Sequence, residues 1–212
     1  MRLFRFSRAP VTGTLLVLIF AVFVLEWTNG AVDNDEMLIR MGAIVPGMLG
    51  YGEYWRAVAA MFLHANILHW AANSWALYQL GTLYEVMFGS LRFTLTYFVT
   101  GIIASVASSL WMHGPSVGAS GAILGILGAF IFSIKRHPEW SKQPWTRSLL
   151  SQLVFWAGVN IVLGFSVKNI DNVAHIAGLV SGLLIGMIPH PVPPTPPGNA
   201  VIDVTPHHYG SE

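Results

Sequence analysis

Runs of apolar residues separated by short polar stretches organise this chain. Six runs predict helices, at 11–25, 68–88, 93–112, 120–134, 149–165 and 173–188. Each approaches the roughly 20 apolar residues that a helix needs to cross a bilayer core, and fewer suffice where neighbouring protein shields the ends. Arg2, Arg5 and Arg8 ahead of the first run would also fit a cleaved signal peptide. Glu26 and Trp27 stand where small residues would suit cleavage, so the run is read as a span.

Between the first two runs lies a stretch, 26–66, too long for a plain turn and too apolar for a disordered linker. It carries Ile44, Met48, Tyr51, Tyr54, Trp55 and Phe62, and is expected to form an ordered external lobe resting partly in the membrane interface. From Pro189 the character changes, with prolines at 189, 191, 193, 194, 196, 197 and 206. Residues 189–212 are expected to be a disordered cytoplasmic tail after a membrane domain over 1–188.

Composition narrows the class. The 212 residues are 54% hydrophobic and 10% charged, with mean hydropathy +0.58, which excludes an ordinary cytosolic protein. Eleven Lys and Arg against ten Asp and Glu leave a formal charge of +1, so no basic field exists for nucleic acid. With no cysteine there is no disulfide, no Cys-ligated metal and no thiol nucleophile. Orientation follows from the flanking cations, which favour the cytoplasm. With the N-terminus inside, Arg2, Arg5, Arg8, Arg92, Lys135, Arg136, Lys142 and Arg147 are cytoplasmic, and only Arg40, Arg56 and Lys168 are outside. Six spans then return the C-terminus to the cytoplasm.

A polar side chain in hydrocarbon is costly unless it is paired or lines a wet cavity. His69, Asn73, Ser120 and His175 stand out. The second, fourth and sixth spans share one direction, and each candidate falls in the first turn or two of its span. At 1.5 Å per residue all four lie within roughly 10 Å of the same outer level. Interhelical hydrogen bonding explains any one of them; four at one depth point to a site. His69 and Asn73, four apart, share a helical face.

Gly121, Gly125 and Gly128 along the fourth span, and Ala174, Gly178, Gly182 and Gly186 along the sixth, predict two smooth faces that meet. Their meeting would bring His175 within reach of Ser120, a general base beside a latent nucleophile. Ser120 also opens a helix, where unpaired N–H groups and the positive dipole end favour an oxyanion. His69 and Asn73 would add side-chain donors, and Gly118 serves the backbone before the serine.

These residues resemble the rhomboid family of intramembrane serine proteases. His64 through Asn73 is similar to the family's HxxxxHxxxN segment, Gly118-Ala119-Ser120-Gly121 to its GxSG motif, and Ala174 through Gly178 to its AHxxG. Trp55-Arg56 matches a WR pair whose family role is structural. The resemblance runs from about 53 to 186 in the right order. It implies an all-α membrane bundle of six transmembrane helices, a Ser120–His175 dyad, and an oxyanion site made by His69, Asn73 and the Ser120 N–H, supported by Gly118, Gly121 and Arg56. It also implies that the substrates are transmembrane helices of other proteins, cut near the outer interface. Leu124 stands where some members carry a Tyr packed on the catalytic histidine.

Rival chemistries fit less well. A zinc protease needs H-E-x-x-H, and neither His64 nor His69 is followed by Glu. An aspartyl protease needs paired carboxylates in helices, and no Asp lies in a predicted span. No cofactor or metal is therefore expected. A channel would place polar residues at successive depths, where Asn160 and Ser181 are the obvious deeper positions. A silent, helix-binding relative would be expected to lack Ser120 or His175. His64, just outside the second span, could donate to the site through water but reads first as an interfacial polar residue, and the tail histidines His190, His207 and His208 read as solvated. The chain is expected in a bacterial plasma membrane.

Overall fold

The computed structural model describes residues 9–138, 140–166 and 170–189. Arg2, Arg5, Arg8, Lys168 and the Pro-rich tail beyond Pro189 lie outside the described residues. Helices occur at all six predicted places. They are α1 (Pro10–Thr28), α4 (Ile67–Ala76) continuing into α5 (Thr82–Phe88), α6 (Ser90–Trp111), α7 (Ser120–Arg136), α8 (Pro144–Ser166) and α9 (Asn172–Gly186). The lobe adds the short α2 (Asp35–Met41) and α3 (Arg56–Ala59), with a 3₁₀ turn at Met48–Tyr51. Among the described residues, three helices are long and apolar enough to cross a membrane, within Pro10–Thr28, Ser90–Trp111 and Trp145–Phe165, and Asn172–Gly186 is a shorter apolar helix.

Between α4 and α5 the chain does not break but widens into a π turn at Leu77–Gly81. Such a turn slips one extra residue into a continuous helix. The predicted second span is thus one run with a local defect.

Helix α7 is the centre of the bundle, with every residue from Gly121 to Phe130 buried. It packs on both α6 and α9, which also touch each other, and glycine sets how closely they meet. A Cβ at Gly178 would fall on the Gly121 carbonyl, and one at Gly182 on the Gly125 carbonyl. A Cβ at Gly121 would come within 2.6 Å of the Ala104 Cβ in α6 and 3.5 Å of the Ala174 carbonyl oxygen in α9. Small residues at four-residue spacing allow this backbone contact, which dispersion rewards in lipid. Helix α8 is different, leaving Val154, Phe155, Trp156, Val162, Leu163 and Phe165 exposed as a lipid-facing surface would.

Two buried carboxylates fasten α1. At its start, where Ala9 supplies no side-chain cap, Glu85 accepts hydrogen bonds from the Val11 N–H (3.0 Å), the Thr12 N–H (2.7 Å) and the Thr12 hydroxyl (2.7 Å). The acidic group thus satisfies orphan donors and complements the helix dipole. At the other end Glu26 accepts the His64 N–H at 2.7 Å, and between them Phe23 stacks on Trp70 at 4.9 Å.

The lobe is organised by Arg56, only 7% exposed. Its guanidinium donates to the Ile39 carbonyl (2.6 Å), the Ala43 carbonyl (3.0 Å) and the Glu53 carboxylate (2.5 Å), and lies 4.8 Å from the Trp55 ring centroid. Next to Ala43, Ile44 forms an antiparallel bridge with Ser116. Tyr51, Tyr54 and Trp55 remain exposed, in keeping with an interfacial position.

Candidate active site

Ser120 is the first residue of α7, and Ala119 before it offers no side chain to the first-turn N–H groups. His175 is buried in the first turn of α9. Asp171 starts that helix, accepting the Ala174 N–H at 2.9 Å, and its other carboxylate oxygen accepts the Ser108 hydroxyl of α6. With α7 and α9 in backbone contact, Nε2 of His175 lies 2.9 Å from the Ser120 hydroxyl. A serine O–H donating to a neutral imidazole is the arrangement in which nitrogen can take the proton as oxygen becomes nucleophilic.

The loop entering α7 is pinned before the serine. Ser116 and Ile44 exchange N–H···O bonds of 2.9 and 3.0 Å, and the Gly118 N–H donates to the Ala60 carbonyl at 2.8 Å. Gly118 has φ +124°, a backbone state that L side chains rarely adopt. Space is short there as well. A Cβ at Gly118 would lie 2.7 Å from the His69 ring and 3.5 Å from the Asn73 amide nitrogen.

His69 and Asn73 therefore border the loop together. The Asn66 side chain caps α4 by accepting the His69 N–H at 2.9 Å, which fixes where their shared face points. Nδ2 of Asn73 is buried with no hydrogen-bond partner among the described residues. A buried amide donor is stabilised when it finds an acceptor, and this one borders the loop that leads to Ser120.

The candidate site residues all fall among the described residues. Ser120 and His175 are in hydrogen-bond contact, and His69, Asn73 and Gly118 converge beside them. Gly121 is the close-approach point of α7, and Arg56 holds the lobe that bridges to Ser116. Leu124 is a core residue. Asn160 and Ser181 hydrogen-bond to their own helices, through the Trp156 and Gly178 carbonyls, rather than lining a path at depth.

His64 is fully buried within the protein, with its ring 5.2 Å from that of His69 in an edge-to-face arrangement. Burial, with His69 as the smaller cause, lowers its pKa to about 3, so the ring is neutral. Its Nδ1 faces the Phe62 carbonyl at 3.2 Å and is therefore the protonated nitrogen. Three carboxylates also went unread as structural groups: Asp171, Glu85 and Glu26. The capping preference of Asp before an apolar run would have found the first. No local signal reveals the other two, whose partners are far along the chain.

Residues 51–191 match the Rhomboid domain family model. The chain is 36% identical over 179 residues to "Rhomboid protease GluP" of Bacillus subtilis (strain 168), covering 84% of this chain and 34% of that protein. It is 35% identical over 153 residues to "RHOMBOID-like protein 1" of Arabidopsis thaliana, covering 71% and 39%. It is 31% identical over 181 residues to "Putative rhomboid protease YdcA" of Bacillus subtilis (strain 168), covering 82% and 87%. The chain thus spans about a third of the length of the first two relatives. Its apolar helices are those of an integral membrane protein, and by its motifs, their order and the domain they fill, the chain belongs to the rhomboid family.

Proposed function

We propose that this protein is an intramembrane serine endopeptidase, built of six spans with both termini in the cytoplasm, that cuts transmembrane helices of other proteins near the outer interface of a bacterial plasma membrane. The observation that carries the reading is the 2.9 Å approach of His175 Nε2 to the Ser120 hydroxyl at a helix mouth.

Chemically, the Ser120 oxygen attacks the scissile carbonyl carbon as His175 Nε2 takes the hydroxyl proton. The carbonyl oxygen becomes an oxyanion, held by the Ser120 N–H, Asn73 and His69, and aided by the N-terminal dipole of α7. His175 then passes its proton to the departing amine as the C–N bond breaks. Water, deprotonated by the same ring, releases the acyl group and restores the serine. The position of the Asn73 amide supports this division of labour, because its nitrogen borders the Gly118 backbone that leads into Ser120.

The test is fluorophosphonate labelling of the purified full chain in lipid, alongside cleavage of tagged single-span proteins. Labelling at Ser120 is expected, and Ser120→Ala should abolish both labelling and cleavage in a protein that remains folded. Asn73→Ala should still be labelled at Ser120, at a reduced rate, while turnover slows by about 10- to 1000-fold, the cost of one oxyanion donor. A folded Ser120→Ala variant that still cleaves would overturn the proposal, whereas absence of labelling in the unaltered chain would favour a helix-binding relative without catalysis.

A further inference from the structure

We propose that Glu26 is a positioning residue for the oxyanion side of the site, acting through His64 on His69. This rests on the protease reading above and extends the site to α1, a helix that carries none of its reacting groups.

Glu26 lies in the last turn of α1, with none of its surface exposed. A carboxyl group so placed is costly and needs an explanation. One oxygen, Oε1, accepts the His64 N–H at 2.7 Å, and the other, Oε2, is buried with no hydrogen-bond partner among the described residues. Fastening α1 is only part of what it does, since apolar packing of Phe23 on Trp70 also joins α1 to α4. What the hydrogen bond fixes is the main chain of His64.

From there the path is short. The His64 side chain is turned by the Phe62 carbonyl at Nδ1, and its ring stands against His69 at 5.2 Å and 68°. His69 also borders Gly118, where no Cβ would fit. The His69 ring thus touches both His64 and the loop that leads to Ser120. Moving the His64 main chain shifts one of these neighbours. An oxyanion donor displaced by about 1 Å costs up to roughly 100-fold in rate, so the Glu26 contact should be felt in turnover rather than in substrate binding.

The experiment uses the full chain in lipid with Glu26→Gln, Glu26→Leu, His69→Ala and the double variant Glu26→Leu/His69→Ala. Leu keeps the volume of Glu and removes the acceptor, whereas Gln keeps an acceptor oxygen. Three quantities are measured: kcat and KM on a tagged single-span substrate, the rate of fluorophosphonate labelling at Ser120, and thermal stability. Glu26→Leu should lower kcat and the labelling rate by about 10- to 100-fold with KM within about twofold. Glu26→Gln should stay within about threefold of the unaltered protein. In the His69→Ala background Glu26→Leu should cost less than about twofold more, because its effect passes through the ring already removed.

An equal loss in both backgrounds would mean a merely structural role and overturn the proposal, as would full activity of Glu26→Leu. If Glu26→Leu fails to fold, Glu26→Gln decides: a loss of labelling rate of more than about tenfold in that folded variant overturns the acceptor role. Failure of the unaltered chain to label would sink the protease reading itself, whereas normal labelling that ignores position 26 would sink only the role of Glu26.

Discussion

His64 shows how burial decides the proton state of one residue. Its pKa falls from 6.5 to about 3 on folding, so between those values the unfolded chain binds a proton that the native ring refuses. The stability this confers is fully present above pH 6.5 and is lost as pH falls toward 3, with a slope approaching about 1.4 kcal/mol per pH unit. Thermal unfolding between pH 7.5 and 5 should therefore be flatter for His64→Phe, which removes the titrating ring, than for the unaltered protein; parallel curves would refute the assignment. At this scale the sequence was most legible where chemistry conflicts with surroundings. Ser120, His175, His69 and Asn73 are polar residues in apolar runs, and a common depth can be counted along helices. Glu26 and His64 were opaque because their meaning depends on meeting each other across the lobe, and no periodicity encodes that.

The pairing of α7 with α9 is the element on which the Ser120 to His175 distance depends. Gly182 lies well below the reacting groups, yet a single methyl there would fall on the Gly125 carbonyl. Gly182→Ala should separate the two backbones and cost about 1–3 kcal/mol, lowering thermal stability and the Ser120 labelling rate together. Gly50→Ala, with open space around it, should change neither. Equal behaviour of the two variants would show that the close approach is not needed. The repeats of small residues made this contact readable beforehand, since a bare face every fourth residue has few other uses in lipid. The π turn at Leu77–Gly81 and the short lobe helices α2 and α3 were not readable. The first is a subtle change of winding inside an apolar run, and α3 is a single turn whose Arg56 finds its acceptors at Ile39 and Ala43, earlier in the chain.

For the whole molecule, the distribution of Lys and Arg carries a prediction of sidedness. A reporter fused after Gly186 should be cytoplasmic and one inserted near Asp35 external, measured by a compartment-specific enzyme or by labelling from one side. Reversal would move the proposed site to the cytoplasmic face. Helix positions were legible because bilayer thickness imposes a length that composition reveals, whereas the order in which the helices surround α7 was not, since a lipid-facing run and a buried one read much alike. The two ends of α1 have a consequence in time. The donors at Val11 and Thr12 are made long before Glu85, from which Thr12 is separated by 73 positions. At roughly 5–20 residues per second of synthesis they wait about 4–15 s for their acceptor. Through that interval α1 must hold in the bilayer on its own mean hydropathy of 2.1, and it is fastened at its start only when the helix that carries Glu85 arrives.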